Sequence, residues 1–312
     1  MSRPIIIDTD PGTDDAVAIL LALAAPELEV LSLVAVAGNL PLTVTERNAR
    51  GVLELAGRPD IPVYAGCPRP MSAGFVSAEH AHGENGLGGL VLPEPALSAR
   101  PEHGVDAMIE TLLRAASGGV TLCALGPLTN IALALVKAPE IAGRIAELVV
   151  MGGASHALGN TTPAAEFNIH ADPLAAALVF DSGVPITMIP LDLTHQVRAT
   201  PKRIERVRAR GNRCGRAAAE LMAPLRRLRR GRGAAPAWAL HDPCVIAYLI
   251  APELFEGAEV NVAIETQSPL TLGMTVVDWR GISGRRPNAR VMNRIDADGF
   301  FALLGERLAR LP

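Results

Sequence analysis

No cysteine pair in this sequence has metal-site or disulfide spacing. The four cysteines, Cys67, Cys123, Cys214 and Cys244, lie far apart and form no C-x-x-C. That excludes a zinc-ribbon pattern and gives no disulfide framework, so a reducing compartment is expected. Strong net charge is also missing. The chain carries 29 basic and 32 acidic side chains, a formal net charge of −3, which argues against a generally basic nucleic-acid binder. Long apolar runs are absent as well. The longest, Ala16–Ala25, falls short of the ~20 residues that span a bilayer, and Ile5–Ile7 is too brief for a secretory h-region. A cytoplasmic protein is the expectation. Lysine is nearly absent (Lys137 and Lys202), its place taken by arginine, which together with abundant alanine reads as coding bias.

What is present is length and aliphatic content. With 312 residues, 49% of them hydrophobic, the chain can bury a sizeable core without staples. Short Val/Ile/Leu runs alternate with longer amphipathic ones. Strands are expected near Ile5–Ile7, Val30–Ala37, Ile61–Tyr64, Val120–Leu125, Leu148–Met151 and Ile186–Ile189, with helices between them. The tail from about 258 reads as two or three strands and a last helix. This alternation predicts an α/β fold: an open, mostly parallel sheet with helices on both faces, a Rossmann-like core and a site at the carboxyl ends of the strands. No linker or repeat interrupts residues 1–312, so a single domain is expected. Two segments break the rhythm. Residues 66–103 are rich in Gly, Pro and His without a period, as mobile or functional loops are. Residues 201–232 carry twelve basic side chains against Glu205 and Glu220. A solvated helical face or an oligomer contact is expected there rather than a nucleic-acid surface.

Four groups of residues carry chemistry. Asp8-Thr9-Asp10-Pro11-Gly12-Thr13-Asp14-Asp15 follows the first strand and opens the first helix. Helix capping accounts for one or two of these acids, not four. Carboxylates this close repel unless neutralised, and a hard divalent cation is their natural partner. His241-Asp242-Pro243 adds a carboxylate and an imidazole at a helix start. Glu166-Phe167-Asn168, preceded by Asn160, sets a carboxylate beside amides, which suits sugar hydroxyls. Asp172-Pro173 reads as the cap of the next helix. His80-Ala81-His82-Gly83-Glu84-Asn85-Gly86 reads as a glycine-rich lid.

Together with Ala37-Gly38-Asn39, Gly126-Pro127-Leu128-Thr129-Asn130 and Met151-Gly152-Gly153, these motifs resemble the nucleoside hydrolase family, the inosine–uridine-preferring type. They run in the family's order from residue 5 to about 250. The resemblance implies a Ca²⁺-dependent enzyme that cleaves ribonucleosides to ribose and free base, working as a homo-oligomer without nucleic-acid or membrane partners. It implies Ca²⁺ ligands at Asp10, Asp15, Asp242 and the Leu125 carbonyl, where the family usually has threonine. Asp10 would be the general base, and Asp8 would brace the metal loop. Asp14, Asn39, Met151, Asn160, Glu166 and Asn168 would hold the ribose. His241, or His82 on the lid, would protonate the leaving base.

One stretch departs from the family. Leu221-Met222-Ala223-Pro224-Leu225-Arg226-Arg227 lacks the tyrosines that many members place over the base, and Pro224 should break a helix there. Trp238 and Tyr248 are read as packing residues. Two other readings compete: a non-catalytic ribonucleoside-binding or regulatory protein, and a haloacid-dehalogenase-like phosphatase suggested by Asp8-Thr9-Asp10. Against the phosphatase, its later lysine and acidic pair are not evident.

Overall fold

The computed structural model describes residues 2–71, 74–75, 77–223 and 237–312. Its strands are β1 (Arg3–Thr9), β2 (Leu28–Ala35), β3 (Val63–Ala65), β4 (Val120–Ala124), β5 (Ile145–Met151), β6 (Ile186–Ile189), β7 (Arg198–Ala199), β8 (Trp238–Ala239), β9 (Phe255–Ile264), β10 (Thr275–Asp278) and β11 (Ala289–Ile295). Its α-helices are α1 (Thr13–Leu23), α2 (Leu42–Leu55), α3 (Glu79–His82), α4 (Gly104–Arg114), α5 (Thr129–Lys137), α6 (Phe167–Ala171), α7 (Pro173–Phe180), α8 (Leu191–Thr194), α9 (Pro201–Arg208), α10 (Arg213–Leu221), α11 (Pro243–Ile250) and α12 (Ala297–Leu308).

Nine strands form one sheet in the order β10-β9-β11-β6-β5-β4-β1-β2-β3. All pairs from β11 through β3 are parallel, and β9 pairs antiparallel with β11 and with β10. The expected α/β architecture is therefore present, with an antiparallel edge contributed by the tail. The alternation of β1 explains the layers. Ile5 and Ile7 join an apolar cluster with α1, α2, α10, α11 and α12, while Ile6 joins a second cluster with α4, α5 and α7. A strand apolar at every position is buried on both sides. Helix α1 is likewise apolar nearly all round, because it packs against α10, α11 and α12 as well as against the sheet side.

Chain order places the site. The chain runs outward from β1 to β2 and β3, then returns to β4 on the other side of β1. Loops leaving β1 and β4 thus diverge and open a crevice at their carboxyl ends. Asn130, at the start of α5, ties this switch point together from a fully buried position. Its amide donates to Asp8 Oδ2 at 2.8 Å and to the Ala35 carbonyl at 3.2 Å, and its oxygen accepts from the Cys67 N–H at 2.7 Å.

The described parts of the two irregular segments hold regular structure. Residues 79–82 form the short helix α3, and Arg100 bridges to Tyr64 beside β3. The basic stretch begins as α9 and α10, where arginines find intramolecular partners. Arg203 pairs with Asp298 at 2.6 Å and lies over the Phe301 ring, and Arg213 donates to the Leu55 carbonyl. Pro224 and the arginines from 226 to 232 lie outside the described residues.

Replacing Asn130 by alanine strands the buried Asp8 carboxylate and the Cys67 N–H. Asn130→Ala is expected to lose ~2–4 kcal/mol of stability, read as a lower urea midpoint with unchanged slope.

Candidate active site

A cleft of about 380 Å³ opens at the carboxyl ends of β1, β4 and β5. Of the twelve site residues expected from sequence, ten line it: Asp14, Asn39, His82, Leu125, Met151, Asn160, Glu166, Asn168, His241 and Asp242. The other two, Asp10 and Asp15, have no exposed surface.

The acidic group is assembled from two distant pieces of chain. Asp10, Asp14 and Asp15 come from the turn between β1 and α1, and Asp242 from the start of α11. Carboxylate oxygens of Asp14, Asp15 and Asp242 lie within 4.8 Å of one another. Burial and mutual repulsion push the carboxyls of Asp10 and Asp242 well above the usual carboxylate range, and that of Asp15 up as well. Asp15 is held by Thr9 Oγ1 at 2.7 Å and the Gly12 N–H at 2.9 Å. Asp10 Oδ2 accepts the Asn39 N–H at 2.6 Å, whereas Asp10 Oδ1 is buried with no hydrogen-bond partner among the described residues. A Cβ on Gly38 or Gly126 would meet the Asp10 carboxylate, so both glycines keep room for it. An orphaned buried oxygen beside three converging carboxylates, with oxygen donors throughout, fits a hard divalent cation. Asp8 stands apart from this trio. Burial pushes its carboxyl up to about 8; Asn130 holds its Oδ2, while its Oδ1, like that of Asp10, has no hydrogen-bond partner among the described residues.

The opposite wall presents a sorted set of polar atoms. Glu166 caps α6. Its Oε2 accepts the N–H groups of Gly153 and Asn168, both at 3.0 Å, and of Ile169 at 3.4 Å. Only Oε1 is left for a ligand. Asn168 donates its amide to the carbonyls of Leu125 at 2.7 Å and Met151 at 3.0 Å, leaving its oxygen as acceptor. Asn160 is the reverse. Its oxygen accepts the Phe167 N–H at 2.8 Å, and its amide, which also hydrogen-bonds the Glu166 carboxylate, has a second N–H to donate. A mixture of fixed donors and acceptors matches hydroxyl groups, which do both.

The third wall carries His241. Its Nδ1 lies 2.8 Å from Thr194 Oγ1, and its backbone N–H donates to Asp14 at 3.3 Å. Burial is the main cause that lowers its pKa, and His195, whose ring stands edge-on at 6.0 Å, adds to it. His82, at the end of α3, accepts the Thr13 N–H at 3.2 Å through Nδ1. Thus α3 is latched onto the first turn of α1.

Several lining residues escape the sequence reading. His195 follows β6 and lines the cleft, while the buried Thr194 beside it reaches the site only through His241; their place after a strand's carboxyl end is a usable signal. Trp238, read as packing, lines the cleft from β8 beside Arg198 of β7, with Leu221 and Met222 next to them. Tyr248 does pack, edge-on against Phe255.

A doubly covered parallel sheet with this cleft at its switch point defines an enzyme for a small, hydroxyl-rich substrate. Residues 5–302 match the inosine-uridine preferring nucleoside hydrolases, and the chain belongs to that family. It is a nucleoside hydrolase. An uncharacterized protein of Schizosaccharomyces pombe is 48% identical over 308 residues, 99% of each chain. A pyrimidine-specific ribonucleoside hydrolase, RihA of Salmonella agona, is 47% identical over 312 residues, again 99% of each. Among solved structures, a purine-preferring ribonucleoside hydrolase from Gardnerella vaginalis superposes with a TM-score of 0.91 at 31% identity over 98% of each chain. A plant nucleoside hydrolase, PpNRh1, gives 0.90 at 33% over 99% of each. None of the described helices is long and apolar enough to cross a membrane.

Burial raises the Glu166 carboxyl to about 7. The unfolded chain then loses this proton first as pH rises from ~4.5 to ~7, so the fold loses stability across that window and no more above it. Glu166→Gln keeps an acceptor oxygen for the same N–H groups and removes the titration. The variant should match the wild type in urea at pH 4.5 and exceed it by ~1–3 kcal/mol at pH 8.

Proposed function

We propose that the protein is a Ca²⁺-dependent ribonucleoside N-ribohydrolase with a preference for pyrimidine nucleosides. The observation that carries the reading is the orphaned Asp10 Oδ1, buried beside the Asp14–Asp15–Asp242 group under a cleft of matched donors and acceptors. Asp10, Asp15, Asp242 and the Leu125 carbonyl would hold the ion, with Asp14 at its edge toward the sugar. Such an ion lowers the pKa of water and holds a vicinal diol.

The chain's own residues do the rest. The Asp10 carboxylate takes the proton of the attacking water as the new C1′–O bond forms. The glycosidic C1′–N bond breaks, and its electron pair leaves with the base. Positive charge gathers on the ribose, as in other glycoside hydrolysis. Glu166 Oε1 and Asn168 Oδ1 face that charge as acceptors, while the Asn160 amide donates to a hydroxyl. Met151 packs against the sugar. Asn39 holds the Asp10 carboxylate by its backbone N–H and lines the cleft with its side chain. His241, oriented by Thr194, delivers a proton to the departing base, with His82 on the lid as the second candidate. Trp238, Leu221, Met222 and Arg198 would bound the base. A pyrimidine preference is supported by the 47% identity to the pyrimidine-specific RihA.

The test is ribose release from uridine, cytidine, inosine, adenosine and guanosine, with and without Ca²⁺, and p-nitrophenyl riboside as control. Turnover should require the cation and rank uridine and cytidine first. No ribose release from any of them would overturn the reading. Asp10→Ala should cut turnover by ~1000-fold while leaving the far-ultraviolet spectrum intact. His241→Ala should slow nucleosides far more than p-nitrophenyl riboside, whose leaving group needs no proton. Equal slowing would remove His241 from the acid role.

A further inference from the structure

Asp192 lies in α8, outside the groups assigned above. Its side chain accepts three backbone N–H groups, as many as Glu166 does. Oδ2 accepts the Ser155 N–H at 2.7 Å, and Oδ1 accepts the N–H groups of His156 at 2.6 Å and Ala157 at 2.9 Å. Three successive N–H groups turned onto one carboxylate form an anion nest whose occupant is supplied by another part of the chain. The nest begins the loop from 155 to 165, which joins β5 to α6 and carries Asn160 and Thr161 into the cleft.

The same loop is gripped from a second side. The Trp279 indole N–H donates to Ser155 Oγ, and its ring stacks with that of His156 at 6.0 Å. Its inner end is closed by turns, with Thr161 N–H donating to the Ala165 carbonyl and Phe167 N–H to Asn160 Oδ1. Apolar anchoring is small, since Ala157 packs only at the edge of the core and Leu158 stands 77% exposed. The loop's position therefore rests on polar anchors, of which Asp192 supplies three. Asp192 also shares one helical turn with Thr194, the partner of His241. A single turn after β6 thus holds a sugar-facing loop with one side chain and the leaving-base histidine with another.

We propose that Asp192 is a positioning residue for the reaction, setting the 155–165 loop so that the Asn160 amide meets the sugar. The inference rests on the ribose-binding assignment of Asn160 made above. Its logic is that of a fixed donor: an amide held in place loses little on binding, whereas one on a slack loop must be ordered by the substrate.

The experiment compares wild type, Asp192→Ala, Asn160→Ala and the double variant, using uridine and p-nitrophenyl riboside with added Ca²⁺. Asp192→Ala should raise KM for both substrates by about tenfold, the worth of one neutral hydrogen bond, with kcat changed much less. The double variant should have the KM of Asn160→Ala alone, because Asp192 acts through that amide. Asp192→Asn, which keeps one acceptor oxygen, should recover part of the loss. Hydrogen exchange at the amides of residues 155–157 should accelerate in Asp192→Ala and not in Asn160→Ala. A wild-type KM in Asp192→Ala, or additive effects in the double variant, would overturn the proposal while leaving the hydrolase reading in place. A wild-type chain that releases no ribose from either substrate would overturn both.

Discussion

Carboxylates that repel one another are forced together at the end of β1, and the rest of the site depends on how that repulsion is managed. Asp10 and Asp15 have no exposed surface and Asp242 only 4%. In a low dielectric such a group cannot all be ionised without a compensating charge. The fold offers partial relief through hydrogen bonds from Thr9, Gly12 and Asn39, and leaves one oxygen of Asp10 with none. Glycines at 38 and 126 follow from the same constraint, since a side chain at either would strike the Asp10 carboxylate. Asn130 follows as well, because Asp8 one pleat earlier on β1 must be paired if the strand is to remain buried on both faces.

From that floor the walls acquire their polarity by elimination. The amide of Asn168 and one oxygen each of Glu166 and Asn160 are consumed by backbone groups, so only one kind of atom on each can turn to a ligand. The backbone groups that consume them are those at the ends of β4 and β5 and the start of α6, which a parallel sheet leaves at its carboxyl edge. Substrate complementarity here is a by-product of satisfying strand and helix ends. This also explains why two of these residues lie within three positions of each other on a five-residue helix and its cap.

The floor was legible in the sequence and the far wall was not. Four acids in eight residues after an isoleucine run leave few structural explanations, and the strand-helix alternation fixes where they sit. Glu166, Asn168 and His241-Asp242 carry local signals of the same kind. Thr194, His195 and Asp192 carry only their place after a strand, because a short turn after β6 looks like any connection until the sheet brings it beside α11 and the 155–165 loop. Trp238 was misread for a related reason. It sits on a two-residue strand, paired only with Arg198–Ala199, that no periodicity can reveal. The tail's strands were visible as apolar runs, but their antiparallel edge pairing is set by tertiary contacts rather than by sequence period.

These differences in legibility match a difference in construction. The floor and sugar wall are built on β1, β4 and β5, central strands whose inner residues are completely buried. The base wall is built on the end of α10 and the β7–β8 ribbon, outside the main sheet. Leu221 and Met222 stand there, and among the described lining residues the indole of Trp238 comes from the ribbon. Leu221 and Met222 also belong to the apolar core, so a change there disturbs packing, whereas a change in the floor disturbs the carboxylate group and the sheet together. The acids proposed to serve the sugar and the side chains proposed to meet the base thus rest on different parts of the fold, the first on central strands and the second on the ribbon and the end of α10.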